Sequence, residues 1–282
     1  MTDVEPKKQN ADRQVIECFG VEWEEFDYSS APTEEKLRQS WDQYFHIFPW
    51  SAVTKQSEGF DMGCGTGRWA RFVAPKVGTL NCIDPSHAIE VAKHNLASFS
   101  NVRFLNETTE DCTLGDETQD FGYCLGVLHH IPDTQKGLDD CARILKPGAP
   151  FLLYLYYRLE NKPLWFRLTW CSSDMVRRFI SRTPNVIKKG LCSSIAALIY
   201  FPLARSARLL ASCGLDVTNM PLSDYRDKPY YQMQNDSLDR FGTRLEQRFS
   251  RAEIEGMLGK AGFENIVFSE RTPYWCCVSY KK

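Results

Sequence analysis

The chain predicts an α/β fold: a doubly wound, mostly parallel seven-stranded sheet with helices on both faces and a helical insertion after strand five. Three observations carry that expectation. Short apolar runs alternate with amphipathic segments from residue 59 to residue 157, a glycine-rich turn follows the first run, and the alternation resumes near the C-terminus after a long irregular stretch. Right-handed crossovers between parallel strands put such a turn at the carboxyl edge of the sheet, where open α/β sheets bind ligands.

Leu37, Trp41, Tyr44, Phe45 and Phe48 recur at helical spacing within 33–48, and Pro49 stops them. A short strand at 59–62 enters the turn Gly63-Cys64-Gly65-Thr66-Gly67, and a helix follows with Trp69, Phe72 and Val73 on one face. Residues 79–83 read as a buried strand closed by Asp84-Pro85, 86–96 as a helix, 102–105 as a third strand and 121–128 as a fourth. A helix at 134–145 ends at Lys146-Pro147-Gly148, and 151–157 is a strongly apolar fifth strand. Ser250-Arg251-Ala252-Glu253 is a capping box opening a helix that Gly262 ends, and 266–269 and 274–280 complete the sheet. The organisation expected is a tail and lid over 1–32, a ligand-binding core over 33–157, a helical and aromatic substrate-binding insertion over 158–247, and the last helix and two strands over 248–282.

Composition is that of an ordinary globular protein, 43% hydrophobic and 25% charged, and the net charge of −2 gives no general attraction to nucleic acid. Eleven scattered cysteines include no C-x-x-C pair and no histidine at zinc-ligand spacing, so they read as small core residues in a reducing compartment rather than as disulfides or a metal site. The N-terminus does not resemble a signal peptide, and the longest apolar run, 195–201, is too short to span a bilayer. A soluble cytoplasmic protein is the expectation.

Glycines at 63, 65 and 67 let the backbone turn sharply and a ligand approach it, while Asp61 and Asp84 bracket the turn. A dinucleotide dehydrogenase would place a third glycine where Arg68 stands, and a purely structural turn needs neither three alternating glycines nor two acids.

The segment Asp61-Met62-Gly63-Cys64-Gly65-Thr66-Gly67 resembles the first motif of class I S-adenosylmethionine-dependent methyltransferases, in the group that acts on small molecules. The order of further matches is similar too: Asp84 at the end of strand two, Thr108-Thr109-Glu110-Asp111, Leu125-Gly126-Val127-Leu128-His129-His130-Ile131-Pro132, and Leu145-Lys146-Pro147-Gly148. The resemblance implies a Rossmann-like fold with S-adenosylmethionine as cofactor. It implies Gly63, Gly65 and Gly67 beneath the methionine portion, Asp61 at its ammonium, Asp84 gripping both ribose hydroxyls, Thr109 and Glu110 flanking adenine, and Gly126 at the end of strand four. This chain departs from the family in having Thr108 where an aspartate is frequent.

The methyl acceptor is expected to be a small-molecule hydroxyl, thiol or sulfide. A hydroxyl needs a base, and His130, then His129, are the candidates, with a packing role as the alternative for either. Tyr154 on strand five, and Tyr225, Arg226 and Tyr230 in the insertion, are the candidate acceptor contacts. Phe19, Trp23, Phe26 and Tyr28 suit a lid. Arg177, Arg178, Arg182, Lys188 and Lys189 read as a solvated helix face, with a peripheral membrane or glycolipid contact as the sharper alternative. A nucleotide-dependent oxidoreductase and a non-catalytic cofactor-binding protein are the competing functions.

Overall fold

The computed structural model describes residues 10–25 and 34–282. Within these, one compact unit takes 10–25, 34–158 and 245–282, and a second takes 159–244.

The first unit is built on strands β1 (Glu58–Met62), β2 (Thr79–Ile83), β3 (Val102–Leu105), β4 (Phe121–Leu125), β5 (Pro150–Tyr154), β6 (Phe263–Phe268) and β7 (Cys277–Lys281). Their order is β3-β2-β1-β4-β5-β7-β6. The first five are parallel, and β7 runs antiparallel to β5 and β6. The order reverses between β1 and β4, so a crevice opens at their carboxyl ends.

Glycines let β1 and β4 lie together. Gly59 pairs with Phe121 and Phe60 with Gly122. A Cβ on Gly59 would fall 2.2 Å from the Phe121 ring, and one on Gly122 would fall 2.3 Å from that of Phe60. Each ring fills the space its partner leaves.

Side-chain alternation along the strands splits the core into two layers. Phe60, Ile83, Phe151 and Leu153 pack with residues of α5 (Thr134–Ile144) and α10 (Arg251–Lys260). Leu80, Phe121, Tyr123 and Leu152 pack on the opposite face with α2 (Glu34–Phe45), α3 (Ala70–Val73) and α4 (Ala88–Asn95). Asp133 caps α5 by accepting from the Lys136 amide, and Ser250 and Glu253 form the reciprocal cap of α10. A further helix, α1 (Arg13–Glu25), packs against α4.

Strand four ends at Leu125 rather than 128, because Gly126 turns the chain at φ +81°. Strand five ends at Tyr154, short of the expected 157.

The second unit holds α6 (Leu164–Ile180), α7 (Asn185–Ile195), a π-helical stretch Ala196–Tyr200, α8 (Phe201–Ser212) and α9 (Tyr230–Gly242). Helices α6 and α7 both lean on α9. Asp174 accepts from Nε of Arg177 at 2.7 Å and of Arg178 at 3.0 Å, while Arg177 Nη1 donates to the Thr243 carbonyl at 3.0 Å. The Ser237 hydroxyl donates to the Cys192 carbonyl at 2.9 Å. Arg177 and Lys188, read from sequence as part of a solvated basic face, are therefore buried. Helix α9 was not visible in the sequence, where 224–231 reads as an irregular aromatic stretch. The run Asn185–Ser212, 28 residues with mean hydropathy 1.4 in its most apolar window, is long and apolar enough to cross a membrane by length and composition alone. The unbroken apolar run understates it, because polar residues interrupt the helix without making it hydrophilic.

Candidate functional site

The turn after β1 carries three left-handed glycines, Gly63 (φ +77°), Gly65 (φ +53°) and Gly67 (φ +75°), which side-chain-bearing residues rarely match. The Gly63 and Cys64 amides donate to the Ile83 carbonyl at 2.7 and 3.0 Å, tying the turn to the end of β2. A Cβ on Gly63 would fall 2.3 Å from Val127, so the turns after β1 and β4 meet directly.

Two acids face this turn. Asp61 is buried, and neither its Oδ2 nor the neighbouring Tyr123 hydroxyl has a hydrogen bond of good geometry among the described residues. Burial raises the Asp61 carboxyl from 3.8 to about 8, and Tyr123 beside it only partly offsets this. A buried carboxylate with so little to neutralise it is costly unless a cation arrives to meet it.

Asp84 is in a different position. Its Oδ2 accepts from the Gly65 amide at 2.9 Å, and its Oδ1 accepts from the Ser86 amide at 2.9 Å and the Ser86 hydroxyl at 2.6 Å. A carboxylate offers about four lone-pair sites, so three are taken and capacity for about one further donor is left, on Oδ2. Asp84, expected to grip the ribose, thus has Oδ1 held by Ser86 and Oδ2 shared with the Gly65 amide. Burial raises its pKa, and the Ser86 and Gly65 donors work against that.

Glu110, expected to flank adenine, accepts from the Asn10 amide at 2.8 Å and lies 3.6 Å from Lys136 Nζ, so its carboxylate secures the N-terminal segment. Asn10 is buried and reciprocally bonded to the Asp133 backbone, donating to its carbonyl at 2.9 Å and accepting from its amide at 2.8 Å. From this anchor α1 runs along the carboxyl edge of the sheet. Gly20 lies against His87 and Ser86, and the Phe19 ring meets His130 edge-on at 5.0 Å. Of the other residues expected in a lid, Phe26 and Tyr28 lie outside the described residues, and Trp23 is described in its backbone only. Thr109 is buried in the loop after β3.

The histidines sit in a 3-10 turn, Leu128–His130, just past β4. They are not equivalent. His129 is fully buried, its ring stacked 3.8 Å from Tyr156, and neither ring nitrogen has a hydrogen bond among the described residues. Burial holds its pKa well below the usual imidazole value, which keeps the ring neutral. His130 Nδ1 lies 2.8 Å from the Leu245 carbonyl. A carbonyl only accepts, so Nδ1 carries the proton and Nε2 is the basic nitrogen. Gln247 braces the same turn, its amide donating to the His129 carbonyl at 3.0 Å and its side chain to that of Ile131 at 2.8 Å.

Tyr154 ends β5, where its carbonyl accepts from the Gly126 amide at 3.0 Å. Its ring meets Tyr44 at 5.3 Å, and Tyr44 meets Trp69 at 5.4 Å, giving an aromatic wall beside the glycine turn. Tyr225, Arg226 and Tyr230 belong to the second unit, where each has a packing or pairing role. Tyr225 packs on Tyr200 at 5.3 Å with Lys228 Nζ over its ring, Arg226 pairs with Asp227 at 3.3 Å, and Tyr230 meets Phe201 edge-on. Sequence reasoning missed Asn10, Tyr44, Ser86 and Gln247. Of these only Ser86 carried a local signal, in Asp84-Pro85-Ser86, where an aspartate accepts from a residue two positions on.

A family of proteins described as "Methyltransferase domain" matches residues 60–153. The ubiquinone biosynthesis O-methyltransferase of Klebsiella pneumoniae (strain 342) is 30% identical over 178 residues, 57% of this chain and 72% of the relative. The chain belongs to the class I S-adenosylmethionine-dependent methyltransferases. The same-named enzyme of Salmonella enteritidis PT4 is 28% identical over 146 residues, and the matched stretch covers 49% of this methyltransferase and 59% of that enzyme. Among solved structures, one from Nostoc punctiforme PCC 73102 described as a "putative O-methyltransferase" shares the fold, with a TM-score of 0.52 at 13% identity over 92% of this chain and 60% of the other. Membership makes S-adenosylmethionine the methyl donor of this methyltransferase. The residues present fit it: a cationic, amino-acid-tailed nucleoside suits a cradle with no room for a Cβ at Gly63, a buried carboxyl with only the Tyr123 hydroxyl beside it, and a second carboxyl with one acceptor site remaining.

Proposed function

We propose that this methyltransferase acts on a hydroxyl group of a small acceptor molecule, with the donor seated across the carboxyl ends of β1, β2 and β4. The observation that carries this reading is an imidazole of fixed tautomer, His130, and a buried carboxyl, Asp61, with the Tyr123 hydroxyl beside it and no cation paired to it, both flanking the crevice where the strand order reverses. S-adenosylmethionine, when bound, supplies a methyl group on a sulfonium that leaves as the neutral thioether S-adenosylhomocysteine.

The chain's own residues do the rest. Asp61 ionises to hold the ammonium of the methionine portion. Gly63, Gly65 and Gly67 bring the backbone close beneath it, and Gly126 turns β4 away from the same space. Asp84 accepts one ribose hydroxyl through Oδ2, and Thr109 borders the nucleoside. His130 Nε2 removes the acceptor proton as the oxygen attacks in line, with Leu245 holding Nδ1 so that the ring keeps one orientation. Tyr154, Tyr44 and Trp69 wall the acceptor side with aromatic faces, and α1 covers the edge and keeps water out.

Oxygen is favoured over sulfur because a thiol of near-neutral pKa needs little help from a base, whereas a hydroxyl needs a positioned one. The O-methyltransferase names of the relatives support the same choice. The ten cysteines whose side chains are described are all free thiols, which fits a reducing, cytoplasmic setting. The second unit is read as a helical insertion between β5 and α10 that serves acceptor selection. The test is calorimetric titration with S-adenosylhomocysteine, followed by product release on phenolic, sugar and thiol acceptors with wild type and His130→Gln. Turnover confined to thiols and indifferent to His130 overturns the oxygen reading, and absence of binding heat overturns the cofactor seat.

A further inference from the structure

The second unit has an outer surface unlike the rest of the protein. Among the described residues, every exposed large hydrophobic side chain but Val267 falls between Leu164 and Leu215. Val186 (84%), Leu198 (76%), Met175 (74%), Phe179 (71%) and Leu164 (69%) are bared to a degree that a folded monomer seldom tolerates in one region. On α6 they form a stripe, since Leu164, Leu168, Met175 and Phe179 recur every three to four residues or multiples of that spacing. Its opposite face, Asp174, Arg177 and Ile180, is buried. Helix α7 and its continuation repeat the arrangement, with Val186, Ile187, Leu191 and Leu198 outward and Lys188, Cys192, Ala196 and Tyr200 inward. Both inward faces meet α9, so both apolar faces turn away from it.

Charge distinguishes what could cover such a surface. Residues 161–215 contain nine Lys and Arg and a single acid, Asp174, in a chain whose net charge is −2. Asp174 is buried and paired with Arg177 and Arg178, and Arg208 lies 3.8 Å from the exposed Asp227, which leaves Arg167 and Arg182 at the margins without an ion pair among the described residues. A second copy of this chain would bring like charges together around the contact. A spanning helix would put the Lys188 ammonium into hydrocarbon and strip Cys192, Ala196 and Tyr200 from their packing. An anionic bilayer receives both features: apolar side chains enter the acyl boundary while arginines reach lipid phosphates.

We propose that the outward faces of α6 and of the 185–212 helix form an in-plane docking surface for an anionic lipid membrane. This inference stands apart from the methyl-transfer reading and needs none of its residues.

The test is co-sedimentation of the full chain with vesicles of pure phosphatidylcholine and with vesicles containing about 30% phosphatidylglycerol. Binding is expected on the anionic vesicles, about tenfold weaker or more on neutral ones, and falling as salt rises. Met175→Glu with Phe179→Glu should abolish pelleting, and Leu198→Glu, on a separate helix, should weaken it independently. Arg167→Gln with Arg182→Gln should weaken it about tenfold or more, each basic residue near the surface being worth a factor of about five. S-adenosylhomocysteine affinity should be unchanged in every variant, which separates lost docking from lost folding. No pelleting on anionic vesicles overturns the proposal. So does a lipid-free dimer that the same glutamates convert to monomer, or membrane-bound protein that resists alkaline carbonate extraction as a spanning protein does.

Discussion

Asp61 gives a prediction whose sign and size follow from its surroundings. Its carboxyl stands at about 8 in the folded protein against 3.8 for the ordinary group, because it is buried without a partner of good geometry. Between those values the native state holds one more proton than the unfolded chain, so this residue lowers stability as pH climbs from about 4 to about 8 and adds no slope above that. At ~1.4 kcal/mol per unit the loss is on the order of 5 kcal/mol. Asp61→Asn removes the titration while keeping the shape. Urea unfolding of both proteins without ligand should therefore show a stability difference that shifts in the variant's favour across this interval. Cofactor binding adds a second signature. Below about pH 8 Asp61 must shed its proton to meet an ammonium, so affinity for S-adenosylhomocysteine should rise nearly tenfold per pH unit. Above about pH 8 the ligand's own α-amino group begins to deprotonate, and affinity should fall again. Calorimetry in buffers of differing ionisation heat would register proton release near pH 7. A flat affinity from pH 6 to 9, with no buffer-dependent heat, would refute the assignment of the ammonium to Asp61.

Other substitutions follow from the same geometry. Asp84→Ala removes acceptors for Gly65 and Ser86 as well as for a ribose hydroxyl, so S-adenosylhomocysteine affinity should drop tenfold or more by calorimetry, a charge-assisted bond being worth ~1.5–3 kcal/mol. His130→Gln should lower kcat by about 100-fold or more with cofactor affinity kept. His129→Ala should instead lower the melting temperature, through the cavity left beside Tyr156, and a catalytic loss without destabilisation would reverse these two roles. Gly63→Ala should abolish cofactor binding and destabilise the fold, since its Cβ would overlap Val127 at a positive φ; wild-type affinity in this variant would remove the glycine cradle from the site.

Much of this was legible because it is local. Strand spacing, the three glycines, the Ser250 cap and the stop at Gly262 are each written within a few residues, and a sheet leaves few ways to assemble them. Strand ends were less so: the apolar letters continue to Leu128 and Tyr157, while the backbone leaves the sheet at Gly126 and after Tyr154. Helix α9 was hidden because its aromatic and polar residues pack against α6 and α7, contacts that no periodicity within 230–242 declares.

The site divides along the same line. Asp61 and Asp84 are both acids next to a glycine turn, and sequence reasoning could place both there. It could not say that one is buried with only the Tyr123 hydroxyl beside it and the other with three donors, because those neighbours are tertiary facts. Glu110 shows the consequence most sharply. Its position in the loop after β3 suggested adenine, yet a residue 100 positions away supplies its hydrogen bond. The same contact makes the N-terminal segment part of the site, since Asn10 joins Glu110 to Asp133 while Phe19 and Gly20, further along, lie on His130 and Ser86. Asn10→Ala should therefore act at a distance, speeding dissociation of S-adenosylhomocysteine in stopped flow with little change to the Asp61 titration. An unchanged off-rate would mean that α1 covers the sheet edge without controlling passage across it.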